Sequence, residues 1–152
     1  MARAPLNVLV FPFRRTAERA IEYAVFLRAD GGGETWQGVS GGAEIGEDVV
    51  QAARRELFEE TGLSPTQALI RLDSMATVPA SLFRDGKDWG PNVYVVTEIA
   101  FGVDVTSESE IRLSHEHSEF RWLTFGAASR LLRWDSNRTA LWELNERQTS
   151  SR

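Results

Sequence analysis

A chain of 152 residues, 42% hydrophobic and 26% charged, has the size and composition of one globular domain that buries a core without staples. It has no cysteine, which excludes disulfides and thiolate metal sites. Its net charge of −5 argues against a binder of nucleic-acid polymers. No stretch approaches the roughly 20 apolar residues of a membrane-spanning helix. The apolar run near the start is short and broken by Pro5, Asn7 and Pro12. A cytoplasmic protein with no membrane partner is the expectation.

Residues 1–4 are expected to fray. Residues 6–13 (LNVLVFPF) alternate loosely and read as a first strand, followed by Arg14 and Arg15. Residues 21–27 are nearly continuous in apolar side chains, the pattern of a strand buried on both faces. The two strands predict a hairpin. Residues 30–33 (DGGG) read as a plain flexible turn, because neither a helix start nor a lysine follows. Residues 36–40 form a short strand. Trp36 is a candidate to stack a ring of a substrate, although large aromatics more often serve the core.

Residues 41–63 (GGAEIGEDVVQAARRELFEETGL) organise the chain. A helix is predicted from Glu47 or Asp48 to Thr61, with acidic residues at its positive end. Residues three and four apart are neighbours on a helix, so Glu56, Glu59 and Glu60 crowd one face. Val49, Val50, Ala53 and Leu57 fall on an adjacent, apolar face. Like charges at that spacing repel. A hard divalent cation such as Mg2+ or Mn2+ turns the repulsion into binding. Gly41 and Gly42 let backbone carbonyls approach such an ion. Arg55 can orient the carboxylates. Gly62 sits where a left-handed cap belongs, with Leu63 placed for the apolar contact that accompanies it.

Beyond Pro65, a strand is expected within residues 68–78 and closed by Pro79. Residues 80–91 read as a polar loop with embedded aromatics; such loops are often functional. Phe83 and Arg84, with Trp89, are candidates for a substrate wall. Residues 92–101 predict a strong strand, 103–114 a loop, 115–123 a strand end, and 126–132 a short helix. Asp135 or Ser136 is placed to cap a last helix reaching about Glu146, with Leu141, Trp142 and Leu144 on its apolar side. Residues 148–152 are expected to fray. His115 and His117 lack the further nitrogen or sulfur ligands that zinc requires. Arg14, Arg28 and Arg84 are candidate phosphate contacts.

The pattern G-x5-E-x7-R-E-U-x-E-E-x-G-U, with U aliphatic, is met at Gly41, Glu47, Arg55, Glu56, Leu57, Glu59, Glu60, Gly62 and Leu63. It resembles the Nudix box. The resemblance covers 23 residues of 152. It implies an α/β/α sandwich with a mixed sheet (α+β class) and Mg2+-dependent hydrolysis of a diphosphate linked to some group. The metal ligands it implies are the Gly41 carbonyl, Glu56, Glu59 and Glu60. Arg55 would orient them, and Glu47 would have an outer or structural role. Family members often place a further acid or histidine in the loop just before the strand with Trp122, and Glu116 is the candidate, as ligand or as general base. Either Glu56 or Glu116 is open as the base. Ser40 departs from the proline that often precedes the paired glycines, which alters loop rigidity. The end of the chain, from Trp134 to Ala140, with Trp36 and Gln37, is similar to bacterial dihydroneopterin triphosphate pyrophosphohydrolases. A nucleoside- or pterin-triphosphate-like small molecule is therefore expected as substrate. Dinucleoside polyphosphate or nucleotide-sugar hydrolysis is the alternative, and a non-catalytic nucleotide-binding module is the reading of another class. Either a monomer or a homodimer fits the resemblance.

Overall fold

The computed structural model describes residues 2–30 and 33–150. Gly31 and Gly32 of the expected turn lie outside the described residues. The spine of the fold is β1 (Arg3–Arg15). Its pleat sends Val8 and Val10 to one side of the sheet and Leu9, Phe11 and Phe13 to the other. The strand starts earlier than its apolar pattern predicts, which corrects the expected frayed start. Arg3 is already paired with Glu44 of β4 (Val39–Glu44). Backbone pairing, not side-chain polarity, sets where a strand begins. Pro12 falls where β4 gives way to β2 (Ile21–Arg28) as the partner of β1. Its missing N–H interrupts neither ladder there.

The other strands are β3 (Trp36–Gln37), β5 (Ile70–Pro79), β6 (Val95–Asp104) and β7 (His117–Leu123). The order is β3-β2-β1-β6-β5, with β4 also on β1 and β7 on β2. β1 and β6 run parallel and the remaining pairs antiparallel, so the sheet is mixed. One face is covered by α1 (Val49–Thr61) through Ala52, Ala53 and Leu57. The other is covered by α2 (Phe125–Leu131) and α3 (Asp135–Thr149) through Ala128, Ala140, Leu141 and Leu144. This is the expected sandwich.

Local signals fix α1 at both ends. Asp48 is the N-cap and accepts from the Val50 N–H, while the Gln51 side chain accepts from the Asp48 N–H. Glu47 therefore lies outside the helix. Gly62 takes φ 74° and its N–H donates to the Phe58 carbonyl at 2.8 Å. Leu63 is buried beside it. Val50 is half-exposed, and Ala52 takes the place in the core expected for it.

Several elements differ from expectation. Residues 80–91 hold two short 3-10 turns, Ala80–Leu82 and Gly86–Trp89. β6 starts at Val95, later than its apolar run, and extends to Asp104 along β1. The N-cap of α3 is Trp134; Asp135 lies in the first turn and pairs with Arg138. Gln148 and Thr149 remain helical, while Ser151 and Arg152 lie outside the described residues. Trp142 is exposed although its neighbour Leu141 is buried. A step of 100° around the helix separates them. Asn137, from the motif near the chain end, is buried and accepts from the Gly38 N–H at 2.8 Å. It satisfies the backbone at the break between β3 and β4 and ties α3 to the strand that carries Gly41.

Candidate active site

Arg55 is the hub of the site. Its Nε and Nη2 donate to the two oxygens of Glu47 at 2.8 and 2.9 Å, a forked pair. Nη2 also reaches the Gly42 carbonyl at 2.9 Å. Nη1 reaches Glu56 at 3.0 Å and Glu59 at 3.2 Å. One guanidinium thus binds the helix to the glycine strand. Glu47, in the turn before α1, also accepts from the Glu44 N–H at 3.0 Å. The Arg55 hydrogen bond holds the Glu47 carboxyl below the usual range, and Glu47 raises Arg55 in turn.

Glu56 behaves in the opposite way. It is buried, and burial pushes its carboxyl up to about 7 against the pull of Arg55, with Glu59 and Glu60 adding to the rise. Its carboxylate lies against Gly41 so closely that a Cβ there would stand 2.0 Å from Cδ and 2.2 Å from Oε2. Only glycine permits this approach. The place next to Glu56 therefore combines an under-compensated carboxylate with a bare backbone.

The three box glutamates do not converge as the spacing predicts. Glu59 is half-exposed on Arg55. Glu60 is buried and its carboxylate accepts from the Ser114 hydroxyl at 2.7 Å. His117 Nδ1 is 3.2 Å from the same oxygen without a hydrogen bond of normal geometry. Burial lowers the His117 pKa, so the ring is held neutral. Among the described residues, no three histidine or acidic groups form a ready metal cluster. The physical reason is Arg55. Its charge stands between Glu47, Glu56 and Glu59, while the loop before β7 takes Glu60. The donors still suit a hard cation: carboxylate oxygens and a glycine backbone, with Glu56 short of positive charge.

Gly41, Arg55 and Glu56 line a cavity of about 830 Å3, together with Arg28, Phe83, Arg84 and Glu116. Its walls come from α1, β4, the loop before β7 and the segment after β5. Glu116 is exposed, and its N–H donates to the Ser114 hydroxyl at 3.2 Å. Arg28 is forked onto Asp30 at 2.9 and 3.0 Å, which neutralises it. Two candidates are misplaced by the sequence reading. Trp36 is 5% exposed and belongs to the core under α2 and α3, with Arg121 over its ring. Arg14 pairs with Glu22 and lies over Trp122, outside the cavity lining. Strand pairing and the pleat decide both, and neither is readable locally.

Three residues escaped the sequence reading. Arg3 lines the cavity. It donates to Asn7 at 2.8 Å, and Asn7 donates to Ser40 at 2.9 Å and to buried Glu98 at 2.8 Å. Burial raises the Glu98 pKa, with the Asn7 bond opposing it. The available signal was Asn7 and Glu98, polar residues inside apolar strand patterns. Asn7 and Glu98 are register partners in β1 and β6.

A model of the NUDIX domain matches residues 4–142. A structure from Listeria monocytogenes described as a NUDIX hydrolase is 40% identical, with TM-score 0.83, over 95% of this chain and 94% of that one. The dihydroneopterin triphosphate diphosphatase of Escherichia coli K12 is 30% identical over 141 residues, 91% of each chain. The asymmetrical bis(5'-nucleosyl)-tetraphosphatase of Rattus norvegicus is 31% identical over 120 residues, 78% of this chain and 76% of that one. The chain belongs to the NUDIX family of pyrophosphohydrolases.

Proposed function

We propose that this enzyme hydrolyses a diphosphate bond in a nucleoside- or pterin-triphosphate-like small molecule, and that residues 1–152 act as one catalytic domain. The observation that carries the reading is the Glu56 carboxylate pressed against Gly41 at the cavity wall. Gly41, Glu56 and Glu59 would hold Mg2+, with Mn2+ as its substitute; Glu116, from the cavity lining, and Glu60, whose charge acts on Glu56, are the further carboxylates proposed for it. When bound, the metal supplies positive charge to phosphoryl oxygens and acidifies a water. The chain's own residues do the rest. Arg55 keeps Glu56 and Glu59 in place while its remaining donors brace Glu47 and Gly42. Glu56 or Glu116 accepts the proton of the attacking water. Arg84 has no ion pair among the described residues and lines the cavity, so its charge is available to a phosphate. Phe83 supplies an apolar wall beside it.

The resemblance to the dihydroneopterin triphosphate diphosphatase covers 91% of the chain, which favours a triphosphate over the dinucleoside polyphosphate suggested by the rat relative. A product screen with Mg2+ tests the choice across dihydroneopterin triphosphate, nucleoside triphosphates, diadenosine polyphosphates and nucleotide sugars. A clear preference for the pterin or a nucleoside triphosphate is expected; equal, feeble rates on all four classes would sink it. Glu59→Gln separates enzyme from binding module. Turnover falls by orders of magnitude in an enzyme and the fold is kept. Glu116→Gln then separates the two candidate bases.

A further inference from the structure

We propose that Arg3 is a substrate-binding residue, one that grips a phosphoryl group neighbouring the one attacked, and that Phe83 and Asn7 hold its guanidinium ready for that anion. This deepens the hydrolase reading above and rests on it.

Arg3 is a half-buried cation without a carboxylate partner among the described residues. Arg28, in the same cavity, differs because Asp30 neutralises it. The Arg3 Nε is buried and has no hydrogen-bond partner among the described residues. Among the described residues its head group makes one hydrogen bond, to Asn7 Oδ1 at 2.8 Å. A guanidinium carries five N–H donors, so most of its capacity is unspent. Taking such a group out of water is costly unless something compensates it. A phosphoryl oxygen pair matches its fork.

The head group is also held in position. It lies 4.8 Å from the centroid of the Phe83 ring, a cation–π contact. The Trp89 indole N–H donates to the Arg3 carbonyl at 2.7 Å and fixes the backbone. The Phe83 and Trp89 rings lie 6.1 Å apart, so one short segment grips both the backbone and the head group of Arg3. On the other side stands the glycine strand. A Cβ on Gly42 would come 2.0 Å from Arg3 Nε, and the Gly42 carbonyl accepts from Arg55. The same residue therefore touches both guanidiniums. A polyphosphate with one group beside Glu56 has its next group within the field of Arg3.

The test pairs binding with kinetics. Binding of inorganic tripolyphosphate is measured by calorimetry in the presence of a chelator, for the wild type, Arg3→Gln, Arg3→Lys and Phe83→Leu. Arg3→Gln is expected to weaken binding about tenfold or more. It should raise KM for dATP with Mg2+ by a similar factor and leave kcat within about threefold. Arg3→Lys restores part of the loss, because charge survives and the fork does not. Phe83→Leu moves both quantities in the same direction by less, and it decides the matter if Arg3→Gln does not fold. Unchanged tripolyphosphate affinity in Arg3→Gln or Phe83→Leu, or a wild type that does not bind tripolyphosphate, overturns the proposal. Arg3-dependent binding by a wild type that cleaves no diphosphate would instead overturn the hydrolase reading and leave an anion site.

Discussion

Two cavities of nearly equal volume, about 830 and 820 Å3, one lined by α1 and β4 and the other by α3 and β5, hold carboxylates at opposite ends of the titration range. Glu56, in the first, is pushed up to about 7 by burial. Glu143, in the second, lies on α3 beside β5. Burial would raise it too, yet the Asp73 N–H, the Ser74 hydroxyl and N–H and Arg147 together hold it at about 2. All of those partners are protein groups at 2.7 to 2.8 Å. Volume therefore does not separate a candidate active site from a structural joint. Compensation does. The joint is electrostatically closed, whereas the candidate active site keeps Glu56 raised, Arg3 without an ion pair among the described residues and the backbone at Gly41 bare.

The comparison can be broken most sharply at Glu56. Glu56→Gln should cut Mg2+-dependent turnover by about a thousandfold, since it is a proposed ligand of the ion and one of the two candidate bases. The melting temperature should hold or rise, because an under-compensated buried charge is removed. Product release and circular dichroism melts read the two halves. Next is Gly41→Ala. Its Cβ would overlap the Glu56 carboxylate, so turnover should fall by about a hundredfold; wild-type rates from this variant would show that the close approach is dispensable.

On the structural side the effect is one of stability. The Glu143 carboxyl is depressed from 4.5 to about 2 in the folded protein. The stability it contributes is present above pH 4.5 and is lost as the pH falls towards 2. Allowing for its partial exposure, the loss is on the order of 2 kcal/mol. Urea titrations at stepped pH measure it. Glu143→Gln should flatten that pH dependence between 4.5 and 2 while leaving KM unchanged. An unaltered acid profile would count against the joint. The smallest effect belongs to Trp142, exposed at the rim of the same cavity. Trp142→Gln should change stability by no more than about 0.5 kcal/mol and turnover not at all. A clear loss of activity there would give the second cavity a function.

Legibility in the sequence followed distance along the chain. α1 was readable to within a residue or two because Asp48, Gln51 and Gly62 act on their own neighbours. The apolar face of α1 was largely right for the same reason, with Ala52 replacing Val50. The candidate site was readable only in part. Gly41, Arg55 and Glu56 meet as their spacing within one helix and one turn implies. Glu60 departs from that pattern because Ser114 and His117, far along the chain, reach it first.

The amino-acid sequence by itself determined the limits of α1 and the run of carboxylates along it, and through its resemblance to the Nudix box it implied the sandwich class. Caps, helical periodicity and motif spacing act over a few residues and need no knowledge of the rest. Only the tertiary structure decided that Trp36 belongs to the core, that Arg14 lies away from the cavity, and that Arg3 enters it from the first strand. Those placements depend on strand register and on which charges meet across the sheet. Such pairings join residues distant in sequence, and burial then sets which of them stay uncompensated.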